Sequence, residues 1–208
     1  MHIPDGMLST PVWAVTDAVG AAAVGLAAWR ANKVMDERHV PLLGVCGAFV
    51  FAAQMLNFPI AAGTSGHFVG GALVGILLGP SASVIVLTAV LLIQCFVYRD
   101  GGVTALGANL INMGLIGGLL GAVNGALFRK TPKFLPVAGF VAGWMACVLG
   151  ALACSFELVL SDRAPANVVI PAMGGVHAFI GIGEGAITAA AIGLLQAVRP
   201  DLLQLERF

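Results

Sequence analysis

Charge is what this sequence has least of. Ten Lys or Arg and ten Asp or Glu make up 10% of its 208 residues, against about 25% in an ordinary soluble domain. So few charged side chains cannot cover a soluble fold of this size. They also balance to zero, so no field of one sign argues for nucleic acid or an acidic partner. Paired cysteines are missing too. Cys46, Cys95, Cys147 and Cys154 stand apart inside apolar stretches, none in a CxxC, and read as small packing residues. No GxxxxGK[ST] phosphate loop occurs, so an ATPase within the chain is not expected. The start MHIPDGML lacks the basic region of a cleavable signal, and Asp5 gives it the wrong charge, so a retained N-terminus is expected.

Hydrophobicity is what the chain has in quantity, at 59% of residues with a mean hydropathy of +0.99. Its 28 glycines suit helices that approach closely in lipid. A bilayer core takes about 20 mainly apolar residues per helix. Candidate spans are Val12–Trp29, Pro41–Leu56, His67–Leu78, Ser83–Tyr98, Val103–Phe128, Leu135–Leu160 and Val168–Val198. The expected fold is therefore an all-α integral membrane protein of about seven transmembrane helices, forming one domain over 1–208. The third span is short, and glycine-rich Gly63–Gly75 suggests a bent or partly unwound segment, tolerated only where protein or a cavity surrounds it.

Seven spans put the termini on opposite sides. One side then receives Arg30, Lys33, Arg38, Arg129, Lys130, Lys133, Arg199 and Arg207, and the other only Arg99 and Arg163. The positive-inside rule accordingly sets the N-terminus outside and the C-terminus in the cytoplasm.

This topology brings His2, His67 and His177 to the outer face, while His39 reads as a solvated residue of a basic cytoplasmic loop. A histidine at position two offers a cation three nitrogens: the α-amine of Met1, the amide nitrogen of His2 and the Nδ1 of His2. They close a five-membered and a six-membered chelate ring, both nearly strain-free. His67 is the best placed donor of a fourth nitrogen. A square plane of nitrogens suits Ni(II) or Cu(II), whereas magnesium and calcium want oxygen. Pro4-Asp5-Gly6 reads as a turn that folds this segment (residues 1–11) back into the bundle (12–198), leaving 199–208 as a cytoplasmic tail.

Three separated motifs then carry a family resemblance: MHIPDGMLS, NFPIAAGTSGHFVGG (Asn57–Gly71) and DGGVTALGANLINMG (Asp100–Gly114). With PAM at Pro171 and RPDL at Arg199–Leu202, the sequence resembles the NikM/CbiM family, the substrate-binding (S) components of energy-coupling factor transporters for nickel and cobalt. The resemblance implies metal ligation by Met1, His2 and His67. It also implies a place in a prokaryotic cytoplasmic membrane beside a transmembrane T component, two cytoplasmic ABC ATPases and a small accessory membrane subunit. The HIPDG start and the TSGH context are more similar to the nickel branch than to the cobalt branch, so the expected cargo is Ni(II), with Co(II) second.

Other polar residues are candidates for a supporting role. Asn57, Asn109 and Asn112 need partners in lipid and either hold the N-terminal segment and the His67 segment or tie helices together. Thr64 and Ser65 flank His67, and His177 is a spare donor. Glu184 lies roughly 18 Å into the last span, where an acid calls for a partner: the T component, a bound water chain or, as a neutral group, a neighbouring helix. Asp17 and Glu157 read as interfacial. The competing function is a self-sufficient divalent-metal permease or channel. An enzyme is not expected, since no HExxH motif or placed general base accompanies the histidines.

Overall fold

The computed structural model describes residues 1–56, 58–60, 64–204 and 208. Eight α-helical segments follow in order: α1 (Thr10–Val34), α2 (His39–Gln54), α3 (Gly71–Leu78), α4 (Pro80–Ile93), α5 (Leu106–Leu110), α6 (Ile116–Leu127), α7 (Leu135–Leu160) and α8 (Ala166–Val198). A π-helical turn, Gln94–Tyr98, prolongs α4, and another, Ile111–Leu115, joins α5 to α6 in one continuous helix. Between α2 and α3 lies a short antiparallel ribbon, β1 (Phe58–Ile60) with β2 (Thr64–Gly66), in which Phe58 faces Gly66 and Ile60 faces Thr64.

Helix is the form such a sequence must take in lipid, because a helix satisfies its backbone groups internally. Proline marks several starts: α1, α4 and α7 carry one in the first turn, where the missing N–H costs nothing. Among the described residues five helices are long and apolar enough to cross a membrane, Thr10–Val34, Pro80–Tyr98, Leu106–Leu127, Pro132–Leu160 and Ala166–Val198, and α2 is a shorter apolar helix. The expected spans are thus found with ends shifted by a few residues, except the third. There only Gly71–Leu78 is helical, eight residues, all buried, or roughly 12 Å of helix. Residues 67–70 reach it in non-helical form, as the glycines suggested.

The two ends of the bundle are recognisable by contact. At one end Thr104 meets Asp5 and Arg163 meets Met7. At the other, Phe208 is buried against the α3–α4 junction, its backbone N–H bonded to the Leu78 carbonyl and its ring edge-on to His39 at 5.4 Å. His39 is therefore not the solvated loop residue expected. It is 2% exposed and opens α2, its Nδ1 2.8 Å from Asp36 Oδ1. Glu157, on α7, is likewise buried rather than interfacial, turned inward to accept from Asn112 of the π turn. The four cysteines are buried and free.

At the centre α3 packs directly on α6, backbone against backbone. A methyl group at Gly75 would run into the carbonyl of Gly118. Overpacking of this kind costs roughly 1–3 kcal/mol, so Gly75→Ala should lower the melting temperature in detergent. Gly25→Ala, where a methyl would meet nothing, should leave it unchanged; equal melting of the two would refute this packing.

Candidate metal centre

The N-terminal segment is held inside the bundle by hydrogen bonds to its backbone. Asn109, on α5, meets Ile3 twice: the Ile3 N–H donates to Oδ1 at 2.8 Å and Nδ2 donates to the Ile3 carbonyl at 3.1 Å. That carbonyl also accepts from the Gly102 N–H at 2.9 Å. Within the turn, Asp5 Oδ1 accepts from the Thr104 N–H at 2.8 Å and from its hydroxyl at 2.7 Å. Ile3 and Leu8 are buried beside Ala105, Ala108 and Cys154. A backbone stretch with no helix of its own is thereby satisfied by protein, as lipid demands.

These contacts set the α-amine of Met1 3.1 Å from Nε2 of His67. Nδ1 of His67 lies 2.8 Å from the Phe68 carbonyl; an N–H there donates to that oxygen and leaves Nε2 as a lone pair aimed at the amine. Tethering one ring nitrogen to a carbonyl is how metal-binding imidazoles are oriented. Two nitrogens bound side by side at about 2 Å from a metal would stand about 2.8 Å apart, close to the separation found here. The His2 ring stacks on His67, centroids 4.7 Å apart and planes 23° from parallel. Burial lowers the pKa of the terminal amine, which favours the neutral form that a metal needs. Among the described residues no three His, Cys, Asp or Glu side chains converge as a metal site; the nitrogens that meet here include one from the backbone terminus.

The ring of His2 departs from expectation in one respect. Its Nδ1, assigned to the chelate, sits 2.9 Å from Asp100 Oδ1, and its buried Nε2 has no partner. Chelation through Nδ1 therefore requires the ring to turn away from Asp100. That hydrogen bond holds the Asp100 carboxyl below the usual carboxylate range, so a negative charge stands beside the nitrogens. Asp100 was legible only as the first letter of a motif.

The other candidates divide. Asn109 grips the N-terminal segment, but Asn112 donates to Glu157 Oε2 at 2.8 Å and ties α7 to the π turn instead. Nδ1 of His177 lies 2.8 Å from the Met173 carbonyl one turn earlier in α8, and its Nε2 is buried without a partner. Asn57 lies outside the described residues, as do the side chains of Thr64 and Ser65, whose backbones form β2. Asp17 accepts from the Gly107 N–H at 2.7 Å, joining α1 to α5.

Comparison with known proteins gives this arrangement its relatives. A family model described as CbiM, cobalt uptake substrate-specific transmembrane region, matches residues 2–202. Over 207 residues the chain is 41% identical to a protein of Archaeoglobus fulgidus assigned as a fused nickel transport protein NikMN, covering 98% of this chain and 68% of that one. It is 44% identical over 205 residues to a protein of Haloquadratum walsbyi assigned to metal transport, covering 98% and 93%. A crystal structure of a transition metal transporter matches with a TM-score of 0.85 at 36% identity, covering 95% of this chain and 93% of that one.

The grip on the N-terminal segment can be tested by itself. Asn109→Leu removes both bonds to Ile3 and should expose the segment to an aminopeptidase that spares the parent protein; equal resistance would show that Asn109 does not hold it. Its pH dependence has a definite sign. The Thr104 hydrogen bonds lower the pKa of Asp5, so this contact is intact above the ordinary carboxylate range and lost as pH falls through the lowered value. Protease protection of residues 1–8 should therefore hold at neutral pH and fail only in acid below that range, and Asp5→Asn should weaken it at neutral pH and remove the acid transition.

Proposed function

The chain belongs to the CbiM family of cobalt-uptake substrate-specific transmembrane regions, and we propose that it is the metal-capturing S component of an importer driven by partner ATPases. As a nickel/cobalt transport protein it spans the membrane several times. In the proposed division of the single domain 1–208, residues 1–11 chelate, 12–198 form the bundle and 199–208 are a cytoplasmic tail. Metal enters from the outer face, where Arg99 and Arg163 lie. The basic residues flanking the opposite helix ends face the cytoplasm.

The observation that carries this reading is the 3.1 Å approach of the Met1 amine to His67 Nε2. In the proposed site the amine, the amide nitrogen and Nδ1 of His2, and Nε2 of His67 surround the cation. The amide nitrogen lies opposite His67, so the amine and His67 are neighbours in the plane. Release of His2 from Asp100 frees Nδ1 for the metal, and the Asp100 carboxylate offsets part of the cation's charge. Four nitrogens in a plane suit Ni(II), and the relatives carry the names of nickel and cobalt, so Ni(II) is the proposed cargo and Co(II) the second. The proposed partners are a transmembrane T component, two cytoplasmic ABC ATPases and a small accessory membrane subunit.

Ni(II) titration of the purified protein tests the donor set. His2→Ala and His67→Ala should each weaken binding by more than the roughly 10–100-fold that loss of a supporting residue costs, while His177→Ala should bind like the parent. Parent-like affinity in either of the first two would contradict the site. Reconstituted alone in liposomes, the chain should bind metal without accumulating it; accumulation without partners would instead favour a permease.

A further inference from the structure

Glu184 is 2% exposed in the middle of α8 and its partners lie on no neighbouring helix. Oε2 accepts from the Val69 N–H at 2.6 Å and Oε1 from the Gly70 N–H at 3.0 Å. These amides immediately precede α3, whose N-cap, Gly70, offers no side-chain cap. The other side of Val69 is held as well. Gln54, on α2, donates to the Val69 carbonyl at 2.7 Å, and Gln94, in the π turn after α4, donates to Gln54 Oε1 at 2.9 Å. All three side chains are buried. Gly70 permits the geometry, for its φ is +83° and a methyl group there would lie 2.6 Å from Val50.

Both backbone groups of Val69 are thus fixed from outside its own segment. One residue earlier, the Phe68 carbonyl meets His67 Nδ1 and so sets the aim of Nε2. Resting on the reading of His67 as a metal ligand, we propose that Glu184 is a positioning residue for the metal site, with Gln54 and Gln94 as its counterpart on the opposite side of the same peptide. Lipid offers the amides of Val69 and Gly70 no substitute partner, so without Glu184 the segment must rearrange and His67 loses its direction. A displacement of α8 against α2 and α4 is passed to His67 by the same bonds.

The test is a double-mutant cycle on metal-binding affinity, with the square-planar d–d absorption of Ni(II) and the metal-free melting temperature recorded for each protein. Glu184→Gln keeps the shape but turns an amide donor toward backbone donors, and Gln54→Met removes the grip on the Val69 carbonyl. Each should raise the Ni(II) dissociation constant about 10–100-fold, the usual cost of losing a group that orients a ligand. In a His67→Ala background neither should weaken binding further, because the group they position is gone. Parent-like affinity with a lowered melting temperature would overturn the proposal and make Glu184 a packing residue. So would an equal loss of affinity with and without His67. If Glu184→Gln is not recovered as a monodisperse protein, the cycle with Gln54→Met decides alone. A parent-like His67→Ala would instead refute the metal-site reading itself.

Discussion

Lipid cannot hydrogen-bond a peptide group, so each stretch of this chain that leaves the helix inside the bundle has to be satisfied by protein. The stretches concerned, residues 1–9, 67–70 and 99–105, come together at one place. Asn109 and Gly102 satisfy Ile3, Thr104 meets Asp5, and Glu184 and Gln54 satisfy Val69 and Gly70. The same bonds that make irregular backbone tolerable also aim the Met1 amine and His67 at each other. Binding geometry and backbone satisfaction are one problem here, solved by a few polar side chains, most of them buried on otherwise apolar helices.

That economy explains what could be read from the residues. Helix number and order follow from apolar runs and were legible, as was the meeting of the N-terminus with the His67 segment, because a histidine at position two has an obvious chelating chemistry. Asn109 was legible as a residue in need of a partner. The short third span was signalled by its glycines, but the length of its helix was not. Other features lay beyond reach for a common reason. That Glu184 reaches amides 115 and 114 residues away, that Asn112 turns to Glu157, and that Phe208 packs on His39 all depend on which helix faces lie together. Apolar runs hydrophobic all round carry no periodic signal of facing. One signal was available for Gln54 and Gln94: an uncharged polar residue in an apolar span must find a partner.

Asp100 adds an electrostatic element that composition concealed. In a neutral chain with few charges, one carboxylate 2.9 Å from His2 Nδ1 matters more than it would on a soluble surface. It holds the ring in one orientation, and the proposed chelate needs another. Capture in this account is an exchange, with His2 leaving a carboxylate for a cation while the backbone clamp on Ile3 stays closed.

Whether the free α-amine of Met1 is a ligand can be read by lengthening the chain by two residues before Met1. Calorimetry and the d–d absorption of square-planar nickel would be compared between the native-terminus protein and the extended one. Loss of both the heat and the band in the extended protein, with its fold intact by melting, is the predicted result. Unchanged affinity and an unchanged spectrum would remove the amine from the coordination sphere and contradict the account.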